Sequence, residues 1–427
     1  MKKILFSFAF LQCAYFSQAQ DLQKPFSADT LYLPIEKAEA LFLNQNLDLI
    51  AQKYSIDSAK ATIITAKLYD NPEFDYSNSF YNSRDHQFFS PEMNIQVSQL
   101  IKLAGKRNKS IALAQSGVDI ANFQFYDLLR TLRNVLRNDF YNIFFLQQSS
   151  KLDDLEIASL QKVVTAFEGQ VQKGYAAPMD LLRIKSELYT LQAEHDDLLT
   201  SIDNLQSELK LLIKASPNIY IVPDADISSI NRSIVSQASY QNLIDSAIAN
   251  RPDLKVLNAS IIFGNNNLKL QQAYATPDIT ILASYDRAGN FVPDYNSIGI
   301  GIPLPFFNRN QGNIKNAKIA VEQNKIQLES GLEKVKSEVS TNYQTALRTE
   351  KTLLSFDPNF DRDIKHLIEE VSIAFQKKNI TMLQFLDFYD SYKQNVLQLN
   401  KLRFSKISAL EQLNFSIGKD LFNLSNP

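Results

Sequence analysis

Residues 297–312 read Ser-Ile-Gly-Ile-Gly-Ile-Pro-Leu-Pro-Phe-Phe-Asn-Arg-Asn-Gln-Gly. Ile298, Ile300 and Ile302 alternate with Ser297, Gly299 and Gly301, the period of a strand with one apolar and one polar face. Beyond the run the period changes to that of helices. The same switch from strand to helix occurs elsewhere in the chain. Upstream, Ile279, Ile281, Ala283 and Tyr285 oppose Asp278, Thr280 and Ser284. Far earlier, Phe74, Tyr76 and Phe80 oppose Glu73, Asp75, Ser77 and Ser79, and Met93, Ile95 and Val97 alternate with Asn94, Gln96 and Ser98. The pattern predicts four strands of about ten residues each, in two hairpins.

The two hairpins belong to an internal duplication with an offset of about 205 residues. Asn46-Leu47-Asp48-Leu49 falls on Arg251-Pro252-Asp253-Leu254, and Tyr69 with Pro72 falls on Tyr274 with Pro277. Met179-Asp180-Leu181-Leu182 falls on Leu383-Gln384-Phe385-Leu386. Each half reads as helix, two strands, then two long helices. The opening helices are expected over 35–68, with Pro34 in the first turn, and over 240–274. The resulting division is a leader at 1–19, a first repeat at 20–214, a linking segment at 215–239 and a second repeat at 240–427.

Long helices follow each hairpin. Ala114, Val118, Ala121, Phe125, Leu128, Leu132 and Val135 form a seam with steps of three and four. A second seam runs Leu181, Ile184, Leu188, Leu191, His195, Leu198, Ile202, Leu205, Leu209, Leu212. Such spacing keeps one stripe against a neighbouring helix, as in coiled coils. No proline lies between Pro91 and Pro178, so one helix is expected from about 108 to 173, roughly 100 Å long at 1.5 Å per residue.

Composition excludes several classes. The 427 residues carry 44 Lys+Arg against 46 Asp+Glu, a balance with no general attraction to nucleic acid. At 45% hydrophobic residues the chain is too apolar for general disorder. No run of eighteen apolar residues occurs, which excludes an ordinary transmembrane helix. Lys2 and Lys3 precede an apolar run from Ile4 to Leu11, and Ser17-Gln18-Ala19 ends it, which reads as a cleaved signal peptide. The one cysteine, Cys13, lies inside it, and Leu11-Gln12 before it matches a lipobox poorly. An exported chain without that segment has neither disulfides nor thiolate metal sites.

Strands of this length suit a tilted membrane-spanning barrel, for which 9–11 residues suffice. Four strands cannot close alone, because an open edge in lipid leaves amides unpaired at several kcal/mol each. Several copies must share one barrel: three give twelve strands, while two or four also close an even number. A soluble sheet capping a helical bundle is the alternative. Export, aromatic residues near the strand ends and the helix lengths favour the membrane.

No enzyme chemistry is legible. His86, His195 and His366 are far apart, and none belongs to an H-x-x-x-H pair that would share a helix face. Phosphate loop, nucleophile elbow and thiol nucleophile are lacking, so catalytic, metal-binding and cofactor-binding residues are expected to be none. His195 falls on the seam and is expected as a packed, hydrogen-bonded residue. Arg130, Arg133 and Arg137 make a basic stripe, with Lys106, Arg107 and Lys109 nearby; a solvated helix face pairing with acids on a neighbouring helix is the favoured reading, and lining a conduit or anchoring near lipid head groups is the alternative.

Taken in order, Asn71-Pro72, Val97-Ser98-Gln99, Gly105-Lys106-Arg107, Gly174 leading into Asp180-Leu181-Leu182, Arg251-Pro252-Asp253-Leu254 and the Ile302–Gly312 run carry a resemblance. Over nearly all the chain beyond its leader, the sequence resembles the TolC family of outer-membrane efflux channels, and the Ile302–Gly312 run looks most like its heavy-metal (CzcC-like) branch. The resemblance implies a mainly α fold with a small β part. Long antiparallel coiled-coil helices would form a periplasmic α-barrel, and four strands per chain would enter a twelve-stranded β-barrel shared by a homotrimer in outer-membrane lipid. It implies a passive exit duct in the outer membrane of a Gram-negative bacterium, with a large periplasmic part. The duct would serve a periplasmic adaptor (membrane fusion protein) and an inner-membrane pump of the RND type, with heavy-metal cations as substrate. A multidrug or type I secretion duct is the alternative within the family, and an exported helical scaffold that conducts nothing is the alternative outside it.

The resemblance also locates the tips that meet the adaptor. Lys173-Gly174-Tyr175 turns the first helix pair and Lys377-Lys378-Asn379 the second, with Lys378 where the family usually has glycine. The apolar residues after each turn, Met179, Leu181 and Leu182 and then Leu383, Phe385 and Leu386, either meet the adaptor or pack within the hairpin. Asp180, Asp387 and Asp390 are candidates for an acidic constriction, since copies of a carboxylate around a narrow axis repel one another and attract cations.

Overall fold

Helix and strand alternate along the chain in the order that the periodicity predicts, with two short strand pairs added. The computed structural model describes residues 29–82, 86–88, 92–227, 230–288, 292–357, 359–377 and 379–422. The leader with Cys13, Lys378 at the second tip, and parts of the loops 83–90 and 287–295 lie outside the described residues. The elements are β1 (Asp29–Pro34), α1 (Ile35–Gln45), α2 (Leu47–Lys67), β2 (Glu73–Asn78), β3 (Tyr81–Asn82), β4 (Gln87–Phe88), β5 (Met93–Ile101), α3 (Lys106–Gln172), α4 (Pro178–Ile213), β6 (Ile219–Asp224), α5 (Tyr240–Asn250), α6 (Pro252–Tyr274), β7 (Ile279–Asp286), β8 (Tyr295–Gly301), α7 (Gln311–Leu354), α8 (Phe360–Gln376) and α9 (Met382–Ile417). Among the described residues no helix is long and apolar enough to cross a membrane.

The helix expected from 108 to 173 is α3. The helices expected over 35–68 and 240–274 are each broken once, at Asn46 and at Arg251, with nearly the same backbone (φ −61°, ψ 124° and 122°). At Arg251 the cause is Pro252, which pushes the residue before it out of the helical region. At Asn46 no proline follows; the buried side-chain amide instead donates to the Leu212 carbonyl at 3.0 Å, which holds the break. Pro34 ends β1 and caps α1 rather than lying within its first turn. In the second repeat the first long helix stops at Leu354 and resumes at Phe360, across Ser-Phe-Asp-Pro-Asn.

The chain forms two compact units, each drawing segments from both repeats: Met1–Asn46, Leu136–Ile227 and Asp361–Phe404, and Leu47–Val135, Ser228–Phe360 and Ser405–Pro427. In the first, helical faces pack around Leu160, Val164, Ile184, Leu188, Leu191, Val371, Phe385 and Tyr389. Burying each such aliphatic side chain contributes roughly 1.5–3 kcal/mol. This unit also holds one of the two added strand pairs, a parallel pair of β1 with β6, in register from Asp29 opposite Ile219 to Pro34 opposite Asp224. On the free side of β6, buried Gln206 donates to the Ile221 carbonyl at 2.5 Å and accepts from its amide at 3.0 Å, and Gln147 donates to the same carbonyl. Both backbone groups of Ile221 on that side are thereby bonded by side chains.

The second unit packs Val235, Leu243, Leu254, Val339, Leu410, Leu413 and Ile417 in one core and carries the main sheet. Its order is β2-β5-β7-β8, every neighbour antiparallel, so the two repeats join where β5 meets β7. The strands have 6, 9, 8 and 7 residues, shorter than ten. Pro72 and Pro277 precede β2 and β7, and Pro303 follows β8; lacking an amide proton, each limits the ladder. Both outer strands, β2 and β8, have an unpaired edge among the described residues of the single chain.

Candidate functional site: the helical tips and the sheet

The first tip is a left-handed turn. Gly174 has φ +74°, its amide donates to the Val171 carbonyl (3.0 Å) and that of Tyr175 to Gln170 (2.8 Å), closing the end of α3. A Cβ on Gly174 would meet nothing within 4 Å, so backbone conformation alone selects glycine here. Pro178 then starts α4 at a position that needs no amide proton. The second tip reaches a similar turn with other residues: Asn379 donates to the Ala374 carbonyl (2.9 Å), the counterpart of the Tyr175 bond. Its outgoing helix is capped by a reciprocal pair, the Gln384 amide donating to Thr381 Oγ1 (3.2 Å) and the Thr381 amide to Gln384 Oε1 (2.9 Å).

The apolar tip residues divide by exposure. Met179, Leu182 and Leu383 are 80%, 70% and 56% exposed, whereas Phe385 is 2% exposed. The Phe385 ring lies 4.4 Å from that of Phe375 and 5.5 Å from that of Tyr389, and Leu181 and Leu386 pack partly buried against the same cluster. A groove of about 620 Å³ beside it is lined by Val163, Phe167, Tyr175, Phe375, Met382 and Asp180 among others. Asp180 and Asp387 are exposed, while Asp390 accepts from Gln394 (2.9 Å) and lies 3.8 Å from the Lys393 ammonium.

A buried polar cluster in the same unit was not read from the sequence. Glu156 on α3 is buried, and neither carboxylate oxygen has a hydrogen-bond partner among the described residues; the same holds for Asp153 Oδ1 and the Tyr389 hydroxyl. Desolvation by burial, then the charge of Asp153, push the Glu156 carboxyl up to about 8. Lys393, paired with Glu194 at 3.0 Å, opposes the shift. Asp153, Glu156, Leu160 and Val164 follow one another at helical spacing, so polar residues on an extended stripe were the available signal.

In the sheet, residues opposite each other across antiparallel strands share a face. One row runs Phe74, Val97, Ala283, Ile298 and the next Tyr76, Ile95, Tyr285, Asn296. The opposite face carries Asp75, Gln96, Ser284 and Ser297 in one row and Ser77, Asn94, Asp286 and Tyr295 in another, with the Ser284 and Ser297 hydroxyls 2.7 Å apart. The register therefore joins four separate alternating patterns into one largely apolar and one largely polar surface. Ile298 is 84% exposed in the single chain.

The remaining motif residues are held in ion pairs and hydrogen bonds. Arg130 pairs with Asp127 (2.7 Å) and donates to the Phe415 carbonyl, Arg133 meets Asp420 (2.7 Å) and Arg137 meets Glu39 (2.7 Å), so the stripe is a set of ion pairs. Lys106 holds Asp278 at 2.6 Å, Arg107 donates to Tyr69, and Lys109 donates to the Ala104 carbonyl. His195 is the packed seam residue, 3.1 Å from Ser150 Oγ. Arg251 is buried and grips Asp253 through two nitrogens (3.0 and 2.6 Å), with Glu338 at 2.6 Å and the Ser416 carbonyl at 3.1 Å. Among the described residues no group of three or more His, Cys, Asp and Glu side chains is placed to hold a metal ion.

Comparison with known proteins agrees with this architecture. The chain is 24% identical over 368 residues to the cobalt-zinc-cadmium resistance protein CzcC of Cupriavidus metallidurans, covering 83% of this chain and 82% of that one. The fold is that of TolC-like channels. A solved structure of CusC superposes with a TM-score of 0.73 at 14% identity, covering 94% of this chain and 96% of that one. The open-state MtrE outer membrane channel of Neisseria gonorrhoeae gives 0.73 at 15% identity (91% and 89%), and the CmeC outer membrane channel of Campylobacter jejuni 0.70 at 14% (92% and 87%). A family model described as outer membrane efflux protein matches residues 40–213 and 243–418. The chain therefore belongs to the outer membrane efflux protein family, a family of channels rather than enzymes.

Proposed function

We propose that this chain is the outer-membrane exit duct of a tripartite efflux system for heavy-metal cations. The observation that carries the reading is the sheet: one largely apolar face, one largely polar face and two unpaired edges. Repetition of that sheet around an axis removes both edges and turns the apolar face to lipid and the polar face to a water-filled lumen. Three copies make twelve strands, and the trimer is the assembly proposed. The protein adds no energy of its own; a pump of the RND type in the inner membrane supplies it through a periplasmic adaptor.

The exposed Met179, Leu182 and Leu383 are proposed as adaptor contacts, and Gly174, Leu181, Phe385 and Leu386 as the frame that presents them. Asp180, Asp387 and Asp390, repeated around the axis, would draw cations toward the entrance. The likeness to a cobalt-zinc-cadmium resistance protein supports metal cations as cargo. Residues 1–19 serve as the export signal.

A deletion strain with complementation tests the reading, grown on zinc, cobalt, nickel, copper and silver salts beside drugs and bile salts. Selective metal sensitivity with metal accumulating in the cell is expected. Sensitivity to drugs or bile salts alone would make the protein a multidrug or general exporter.

A further inference from the structure

Just beyond β8 the chain displays two largely exposed phenylalanines. Phe307 is 95% exposed and Phe306 69%. Their backbone is nevertheless held firmly. Pro303 and Pro305 fix φ on the approach, and the Phe306 amide donates to the Leu304 carbonyl (3.0 Å). Gln311 Nε2 donates to the Phe307 carbonyl (3.2 Å), and the Arg309 amide to Gln311 Oε1 (2.8 Å). Asn310, in the left-handed region at φ 59°, ties the turn to α6 through Nδ2, which donates to the Gln271 carbonyl (2.7 Å), and accepts from Asn313 Nδ2 (2.6 Å). These bonds hold the backbone of the turn, while both rings remain largely exposed. A pre-ordered apolar pair of this kind loses little freedom when it is covered.

At the opposite edge of the same sheet lies a hollow of about 500 Å³. It is lined by Leu68, Tyr69, Leu100 and Ile101, with Lys102 and Arg107 at its rim. Its one carboxylate, Asp70, is occupied by Lys102 at 2.9 Å, and the Arg107 guanidinium stacks 4.2 Å over the Tyr69 ring. The hollow thus offers aliphatic surface and a stacked cation, chemistry suited to a phenyl ring.

Topology brings the two features together. Glu73 at the start of β2 and Gly299 near the end of β8 stand in one row across the sheet, through Ser98 and Leu282. The rings and the hollow are therefore at the same end of the strands and at opposite free edges. Strand direction alternates throughout the order β2-β5-β7-β8, so a β2 placed beside β8 continues the alternation without a break. We propose that Phe306 and Phe307 of one copy seat in the Leu68–Tyr69–Leu100–Ile101 hollow of the next copy and clasp the assembly just below its barrel. This inference rests on the shared barrel proposed above.

Paired cysteines separate the two ideas, because Cys13 is the chain's sole native cysteine. Phe307→Cys with Leu68→Cys, and Phe306→Cys with Tyr69→Cys, probe the clasp. Ser297→Cys combined in turn with Glu73→Cys, Asp75→Cys or Ser77→Cys probes the seam between β8 and β2. Membranes carrying each pair, and each single cysteine as control, are oxidised with copper phenanthroline and run without reductant. Most of the chain is expected to shift to oligomer bands with at least one seam pair and with at least one clasp pair. Seam linkage without clasp linkage overturns the clasp and leaves the barrel standing; failure of every seam pair removes the shared barrel and the clasp with it.

Phe307→Trp supplies a second readout, since the chain has no tryptophan. In vesicles of brominated phosphatidylcholine its emission is expected to be blue-shifted and unquenched. Strong quenching would show that lipid, not a second copy, covers the ring, and would overturn the proposal.

Discussion

Arg251 and Asn46 occupy matching positions in the two repeats and do the same work with different side chains. Asn46 reaches the Leu212 carbonyl and Arg251 the Ser416 carbonyl, in each case at the end of the last long helix of its own repeat. Those helices then end in the left-handed region, at Lys214 (φ 53°) and Gly418 (φ 74°). A non-glycine residue is accommodated in the first repeat. In the second, a Cβ on Gly418 would stand 3.1 Å from the Arg251 backbone, closer than ordinary contact. Gly418→Ala should therefore destabilise by more than the roughly 1–2 kcal/mol of left-handed strain alone. Gly174→Ala, with open space around it, should lose only that strain. Thermal unfolding of the two purified variants decides the point: equal losses in midpoint would mean that the Arg251 contact relaxes freely.

At the scale of elements, α3, α4 and α9 pack around Glu156. Its carboxyl faces Asp153 on its own helix, Glu194 on α4 and Asp390 and Lys393 on α9, with His195 near Asp153. The unfolded chain gives up the Glu156 proton near 4.5, whereas the fold keeps it to about 8. Between those values the folded state binds more protons, so stability falls as pH rises, by on the order of 1 kcal/mol per pH unit, and levels off above about 8. Asp139, pushed up to about 7 by burial and by Glu208, adds a slope of the same sign below that pH. Glu156→Gln should remove most of the difference in guanidinium midpoint between pH 7 and pH 8. An unchanged difference would show that Glu156 is not the group responsible.

How much of this was legible in the sequence depended on whether the signal was local. The stripe of α4 needed only its own spacing, and Ile184, Leu188, Leu191, Ile202, Leu209 and Leu212 are buried as that spacing predicts. On α3 the stripe shifts by one residue at Val135, where Leu136, Phe140 and Ile143 take over, because 3.6 residues per turn drift against a seven-residue repeat. The β1–β6 pair was not legible, since its partners lie some 190 residues apart in sequence and neither strand alternates cleanly. The break at Arg251 had its signal in Pro252, whereas that at Asn46 depends on a distant carbonyl. Exposure at the tips was equally out of reach: Leu383 and Phe385 are both apolar and two residues apart, and only packing tells them apart.

For the molecule as a whole, the two faces of the sheet carry opposite expectations. Ile298→Arg places a charge on the apolar face, where the cost near the centre of a bilayer is about 2–4 kcal/mol per copy, so less heat-modifiable oligomer should reach the outer membrane. Asn94→Arg lies on the polar face and should leave assembly intact while lowering cation conductance in planar bilayers. If both variants assembled equally well, the assignment of faces to lipid and lumen would be wrong. The unpaired edges of β2 and β8 have a genetic consequence. Where closure needs every copy, one damaged edge spoils the ring that takes it in, so an edge mutation should act as a dominant allele. In the proposed trimer, with three copies drawn from equal pools of mutant and wild-type chain, only about one ring in eight would be free of the defect, and efflux in the mixed strain should fall well below half.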